Sequence, residues 1–149
     1  MNKQLFLEQI YTLVKDEKNI IANLANVSAF LNEILPDINW VGFYLLENNE
    51  LVLGPFQGKV ACIRIPMGRG VCGTAAYQKT TLCVDDVHQF QGHIACDSNS
   101  RSEIVIPIIK EHEVIGVLDV DSPSYHRFSQ KDQIFLEEVV KLIVQYIFK

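Results

Sequence analysis

The stretch EIVIPIIKEHEVIGVLDVDS at residues 103–122 constrains the fold more than any other part of the sequence. It contains two strongly apolar runs separated by a short polar turn near Glu111 and His112. Apolar runs of this length joined by a turn predict a β-hairpin. We therefore expect an antiparallel sheet in the middle of the chain.

Other segments predict further strands and helices. Apolar residues recur at helical spacing over residues 5–14 and 24–35, which predicts two amphipathic helices. The segment NWVGFYLLENNELVLGPFQG predicts a second hairpin that turns at Asn48 and Asn49, and the segments ACIRIPM and TLCVDDV each predict one strand. Between these two strands, GRGVCGTAAYQ predicts a glycine-rich turn followed by a short helix.

The order of these elements predicts the fold class. The last helix is expected over FSQKDQIFLEEVVKLIVQYIFK, with Ser129 as its N-cap and Asp132 in the capping-box position. Helices at both ends with strands between them predict an α+β fold, in which the N- and C-terminal helices pack on one face of a central antiparallel sheet and pocket loops lie on the other. The length of 149 residues fits a single domain over residues 1–149.

Charge and hydropathy exclude several classes of function. The net charge is -5 and no run of lysine or arginine is present, which argues against a nucleic-acid partner. The N-terminus lacks the apolar core and cleavage site of a signal peptide, and no segment reaches the apolar length of a membrane span. These features predict a cytoplasmic protein that has no membrane partner and takes a small cationic or zwitterionic ligand.

Four cysteines, Cys62, Cys72, Cys83 and Cys96, are the main candidates for chemistry. In a reducing compartment such thiols are more often free, catalytic or metal-binding than paired in structural disulfides. Cys83 has apolar neighbours in a predicted strand, so we expect it in the core. Glycine-rich or polar segments flank the other three, so we expect their thiols to be exposed.

Two further patterns have ordinary explanations that we prefer. The cysteines contain no C-x-x-C pair, so the sequence predicts no metal site. GRGVCG, residues 68–73, matches the G-x-G-x-x-G pattern of dinucleotide-binding proteins. That fingerprint requires a parallel β-α-β unit, whereas hairpins dominate this chain, so the glycines are expected to serve a turn with positive φ.

Acidic and aromatic residues gather around the predicted strands. If the hairpin at residues 103–122 forms, Glu103 at one end meets Asp119 and Asp121 at the other, and strand alternation puts the two aspartates on one face. Trp40 and Tyr44 are four residues apart on a strand and share a face. The acids fit solvated strand ends or a binding site, and the aromatic pair fits core packing or a pocket wall.

Four segments together closely resemble the free methionine-(R)-sulfoxide reductases, which are built on a GAF domain. These segments are NWVGFYLL, GKVACIRIPMGRGVCGTA, VDDVHQFQGHIACDSNSRSEIVIPI and IGVLDVDSP. The resemblance extends from about Trp40 to the terminal helix. The set of three cysteines with the acidic hairpin makes it specific, because a GAF domain alone would indicate only a small-molecule sensor. Cys83 stands outside the set.

The resemblance implies thiol-dependent reduction of free methionine-(R)-sulfoxide. It makes Cys96 the nucleophile, Cys62 the principal resolving cysteine and Cys72 an auxiliary one. A sulfenic acid on Cys96 would condense with a second thiol to a disulfide. Disulfide geometry requires Cα atoms within roughly 7 Å, so the irregular stretch that follows residue 87 would have to fold over the third strand.

The resemblance also assigns the pocket. The carboxylates would hold and polarise the substrate, the aromatic pair would wall its methyl end, and backbone N–H groups at 94–96 could bind its carboxylate. The substrate-binding candidates are Trp40, Tyr44, Ile94, Ala95 and Asp119, and the catalytic candidates are Cys96, Cys62, Cys72, Glu103 and Asp121.

Partners follow from the same resemblance. Family members are typically homodimers that thioredoxin recycles, and the reaction needs no cofactor. Two other functions use the same residues: a noncatalytic GAF sensor of a small molecule, and a thiol-based redox switch. Turnover of free methionine sulfoxide separates the enzyme from both.

Overall fold

A twisted antiparallel sheet lies at the centre of the computed structural model, which describes residues 2–92 and 99–149. In this part of the chain the sheet has six strands in the order β3-β2-β1-β6-β5-β4, and all neighbours are antiparallel. The strands are β1 Trp40–Glu47, β2 Glu50–Gly58, β3 Arg64–Pro66, β4 Leu82–Val84, β5 Ser102–Lys110 and β6 Glu113–Ser122. The predicted antiparallel sheet is confirmed.

Both predicted hairpins are present, and their turns explain why. Asn48 and Asn49 have φ values of 52° and 65°, and Glu111 and His112 have φ values of 52° and 70°. Two consecutive residues with positive φ give a turn whose twist matches that of the flanking strands. The β1–β2 and β5–β6 pairings are therefore closed by local turn geometry.

Four α-helices occur in the described residues, and polar caps fix three of their starts. Asn2 and Asn19 accept hydrogen bonds from backbone N–H groups of the first turns of α1 and α2. Ser129 and Asp132 form the predicted capping box of the last helix. The helices are α1 Lys3–Val14, α2 Ile20–Ile34, α3 Gly70–Gln78 and α4 Gln130–Tyr146.

The sheet separates two apolar layers. Buried residues of α1, α2 and α4 pack against one face, which carries Val41, Phe43 and Leu118 among others. The other face carries Trp40 and Tyr44 and packs against α3. The terminal helices thus share one face as predicted, and the short helix partly covers the face on which the pocket lies.

The segments between strands differ from the prediction in two places. The predicted strand at residues 61–67 is shorter, because only Arg64–Pro66 pair with β2. The stretch expected to be irregular from His88 to Arg101 begins inside a short 3₁₀ helix, Val87–Gln89. In the described part of the chain, no helix combines the length and the apolar character that a bilayer crossing would need.

Candidate active site

Three carboxyl groups converge where β5 begins and β6 ends. Glu103 is directly paired with Asp121, and Asp119 is two residues earlier on β6, so alternation places both aspartates on the same face. Only 7% of Glu103 and 5% of Asp119 are exposed, whereas Asp121 is half-buried. The acids are therefore not the solvated strand ends that the sequence left open.

A thiol from another element joins the acids. The Sγ of Cys72, in the first turn of α3, donates a weak hydrogen bond to Oε2 of Glu103 at 3.8 Å. Cys72 is buried, contrary to the exposure expected from its glycine-rich flanks. Those glycines allow close packing instead, since a Cβ on Gly73 would lie 2.5 Å from the carbonyl oxygen of Pro66.

The expected core position of Cys83 is also wrong. Cys83 is exposed, and its Sγ donates to the carbonyl oxygen of Phe128 at 3.5 Å. Its apolar neighbours Leu82 and Val84 point to the opposite face of β4, because successive side chains of a strand alternate. The apolar sequence neighbours of Cys83 therefore do not predict whether its own side chain is buried.

Burial and mutual repulsion raise the pKa values of the clustered groups. Burial, with the charge of Asp121 as the next cause, raises the pKa of Asp119 from 3.8 to about 8. Burial and then Asp119 raise the pKa of Glu103 well above its usual range, and the same two causes raise that of Cys72. At neutral pH the cluster thus holds protonated carboxyl groups and a neutral thiol.

Asp119 has an open hydrogen-bonding position. Its Oδ1 is buried and has no hydrogen-bond partner in the part of the chain that the structure describes. Buried polar atoms without a partner are rare in native proteins, and a bound ligand can supply the missing bond. Because Asp119 lines the cavity beside the cluster, a polar group of a bound molecule can reach it.

Stacked aromatic rings form one wall of this cavity. The ring centroids of Trp40 and Tyr44 are 5.9 Å apart with an interplanar angle of 22°, and Phe56 stacks on the other side of Trp40 at 5.1 Å. Trp40 and Tyr44 are 3% and 2% exposed. The pair therefore belongs both to the core and to the pocket wall, the two alternatives that the sequence left open.

The cavity brings together residues from β1, β5, β6, α3 and the connection before β3. Its volume of about 40 Å³ exceeds the roughly 10–15 Å³ that one water needs, so a small polar group fits between the acids. Sequence reasoning missed Arg69, which lies in the glycine-rich turn before α3 and adds a positive charge to the wall. The described lining residues are Trp40, Tyr44, Val60, Ala61, Ile65, Arg69, Gly70, Val71, Cys72, Ser100, Glu103, Asp119 and Asp121.

The glycine-rich turn serves backbone geometry. Gly68 and Gly70 have φ values of +82° and +62°, which glycine adopts without strain. The turn leads into α3 beside an antiparallel sheet, which agrees with the expected turn and not with a dinucleotide fingerprint. The motif therefore positions Arg69 and Cys72 at the cavity.

Three groups of the cluster have the donor atoms of a cation site once they are deprotonated. The Sγ of Cys72 and one carboxyl oxygen each of Glu103 and Asp119 all lie within 4.8 Å of one another. The predicted hairpin already brought Glu103 and Asp119 together, whereas Cys72 was missed because α3 is a separate element and forms no local spacing motif with the strands. The same three groups surround the hydrogen-bonding position described above.

The candidate redox cysteines lie partly outside the described residues. Cys62 is disulfide-bonded and half-buried, next to the cavity-lining Ala61. Cys72 and Cys83 are free thiols. Cys96, together with the predicted substrate contacts Ile94 and Ala95, falls within residues 93–98, outside the described part of the chain.

A model of the GAF domain family matches residues 8–147, as the fold predicts. The free methionine-R-sulfoxide reductase of Escherichia coli (strain K12) is 52% identical over 144 residues, which cover 94% of this chain and 87% of that protein. The reduced form of fRMsr of Staphylococcus aureus has 56% identity and a TM-score of 0.95, with 98% of this chain and 95% of the other covered. Free methionine-R-sulfoxide reductase from Neisseria meningitidis, solved with its substrate, has 46% identity and a TM-score of 0.95 over 98% and 88% of the two chains. The chain belongs to the GAF domain family and, within it, to the free methionine-R-sulfoxide reductases.

Proposed function

We infer that this protein reduces free L-methionine-(R)-sulfoxide to L-methionine with electrons from thiols. The observation that carries this function is the buried acid cluster at an aromatic-walled cavity, next to the segment that holds the disulfide-bonded Cys62. Homologues with this activity by name share about half of its sequence. The (R) preference is taken from these relatives.

We propose that the acids recognise the polar atoms of the substrate. Oδ1 of Asp119 can donate to the sulfoxide oxygen when it carries the carboxyl proton, or accept a hydrogen bond from the ammonium group. Asp121 is half-buried and offers a second carboxyl group at the cavity. The stacked rings of Trp40 and Tyr44 suit the apolar methyl end, and Arg69 suits the substrate carboxylate.

The first chemical step transfers oxygen from sulfur to sulfur. In our proposal the thiolate of Cys96 attacks the sulfoxide sulfur, the oxygen passes to the Cys96 sulfur, and methionine leaves with its sulfur reduced. The products are methionine and a sulfenic acid on Cys96, so one thiol is oxidised by two electrons. Glu103 and Asp119 are the proposed proton donors to the oxygen, because their raised pKa values keep them protonated at neutral pH.

The second step forms a disulfide. The thiol of Cys62 attacks the sulfenic acid of Cys96, the S–S bond forms, and the hydroxyl group leaves as water. The disulfide-bonded state of Cys62 supports this role, and we propose Cys96 as its partner. Cys72 is an auxiliary thiol in this scheme, and its raised pKa disfavours it as the first nucleophile.

Recycling requires a dithiol reductant, for which we propose thioredoxin. We also propose that the chain is one GAF-type domain over residues 1–149 and that it acts as a cytoplasmic homodimer without a cofactor. The cysteine usage supports a reducing compartment, since two of the described cysteines remain free thiols. A small-molecule sensor would bind the sulfoxide without releasing methionine.

Single-turnover assays without external reductant test the assignment. We expect Cys96→Ser to release no methionine, because a serine hydroxyl is not appreciably ionised near neutral pH. Cys62→Ser should release up to one equivalent per chain and leave either a sulfenic acid or a disulfide with Cys72, which mass spectrometry after chemical trapping distinguishes. Cys83→Ser, at an exposed thiol away from the cavity, is the matched control and should behave as wild type. Full release from Cys96→Ser would contradict the assignment.

A further inference from the structure

Two side chains of β1 hold the connection between β2 and β3, residues 59–63. The indole Nε1 of Trp40 donates a hydrogen bond to the carbonyl oxygen of Lys59 at 3.1 Å. The hydroxyl of Tyr44 donates one to the carbonyl oxygen of Cys62 at 2.9 Å. From these contacts we infer that Tyr44, assisted by Trp40, is a positioning residue for the resolving cysteine, an inference that rests on the proposed role of Cys62.

Apolar contacts hold only the middle of this connection, where Ala61 and Cys62 pack against the cluster that contains Trp40 and Tyr44. Val60 is 88% exposed and Ile63 is 68% exposed. The connection is bound to the sheet at its far end, where the N–H of Leu53 donates to the carbonyl oxygen of Ile63 at 2.9 Å. Because the side chains of Val60 and Ile63 are exposed, hydrogen bonds add to these contacts in fixing the position of the connection.

The donors themselves are rigid. Both rings are almost fully buried and stacked on each other, and β1 pairs with β2 and β6 on either side. Burial and the nearby charge of Asp119 raise the pKa of the Tyr44 phenol, so it stays a hydrogen-bond donor over the working pH range. The sheet therefore offers two fixed donors four residues apart.

Gly58 makes the approach of the indole possible. A Cβ at this position would lie 2.5 Å from Cδ1 of Trp40, and the φ value of +142° already favours glycine. The chain leaves β2 at Gly58 and presents the carbonyl of Lys59 to the indole. The sequence pattern W-x-x-x-Y with a glycine at the end of the next strand thus builds a clamp.

The clamp acts on the second step of the proposed reaction. The contacts occur in a structure in which Cys62 is disulfide-bonded, so they stabilise the position of the connection in that state. A positioned thiol attacks faster than one on a loose segment, because less freedom is lost in the reaction. Oxygen transfer does not involve Cys62, so loss of the clamp should slow it less than it slows disulfide formation.

Tyr44→Phe tests the inference, because it removes the hydroxyl and retains the ring. The measurement is a rapid-quench single turnover in a Cys72→Ser background, which prevents the auxiliary thiol from replacing Cys62. Because Tyr44 also lines the pocket, methionine release in the same reaction is the reference, and disulfide formation should slow roughly five- to tenfold more than release does, the effect of one lost hydrogen bond. Trapped sulfenic acid should accumulate. The control is Tyr77→Phe, at a tyrosine that is 71% exposed.

A second measurement needs no substrate. In equilibrium with glutathione, two glutathione thiols reduce the Cys62 disulfide and yield one glutathione disulfide. Tyr44→Phe should shift this equilibrium toward the dithiol roughly fivefold. An unchanged equilibrium, or equal slowing of methionine release and disulfide formation, would overturn the inference. If wild type released no methionine, the proposed function would fail, and the glutathione equilibrium would still decide the role of Tyr44.

Discussion

Replacing Asp119 with asparagine should stabilise the fold while it impairs the reaction. In the folded protein the pKa of Asp119 is about 8, against an ordinary value of 3.8. At pH 7 folding therefore takes up a proton that the unfolded chain has released, and this uptake opposes folding. Asparagine occupies nearly the same volume and has no proton to take up.

The magnitude follows from the shift. One pKa unit corresponds to about 1.4 kcal/mol, and the interval from 3.8 to pH 7 therefore gives about 4 kcal/mol as an upper value. The new amide hydrogens need acceptors in the cluster, which reduces the gain. We expect Asp119→Asn to raise the free energy of unfolding at pH 7 by about 2 kcal/mol.

The pH dependence separates this cause from others. A carboxyl group whose pKa is raised by folding makes its full contribution to stability at pH values below its pKa in the unfolded chain. That contribution is lost as the pH rises through its pKa in the folded protein. Wild-type stability should thus fall between about pH 4 and pH 8, by at most about 1.4 kcal/mol per pH unit for this proton. Asp119→Asn should flatten that slope and match wild type near pH 4.

Urea unfolding at several pH values, with the disulfide intact in all samples, measures both quantities. Asp16→Asn is the control, because the Asp16 side chain is 89% exposed, and it should keep the wild-type slope. Lower stability of Asp119→Asn at pH 7, with an unchanged slope, would refute the buried, protonated state of Asp119. Methionine release by the same variant should fall.

Three further outcomes are expected. Glu103→Gln and Asp121→Asn should each lower methionine release more than they lower the melting temperature, and near-normal turnover in both would remove these carboxyl groups from the mechanism. Free methionine sulfoxide should react, whereas the N-acetylated, amidated form should not, because it lacks both charges that the pocket is proposed to hold; comparable rates would contradict an enclosed site. Gly116→Ala should destabilise the protein by about 2 kcal/mol in thermal unfolding, because a Cβ there would overlap the carbonyl oxygen of Tyr44, and an unchanged melting temperature would argue against that β1–β6 contact.

Local signals in the sequence determined most of the fold. The hairpin turns at Asn48 and Asn49 and at Glu111 and His112 depend on a few consecutive residues, and the structure has both. The capping box at the start of α4 is likewise a property of four adjacent residues. Hairpin closure alone would place Glu103 opposite Val120, and a one-residue register shift between Ile108 and Ile109 places it opposite Asp121 instead.

Only the tertiary structure decided which side chains are buried at the site. Cys72 lies against the acids because α3 packs across the sheet. Cys83 shares the helix-covered face of its partner Ile104, and it is exposed because β4 is a short strand at the edge of the sheet. Arg69 reaches the cavity through the same packing of α3. Two further features require elements that are distant in sequence. They are the desolvation of Asp119 and the hydrogen bond from the Tyr44 hydroxyl to the carbonyl oxygen of Cys62. Periodicity describes one element at a time, whereas burial and pKa depend on what the neighbouring elements place around a group.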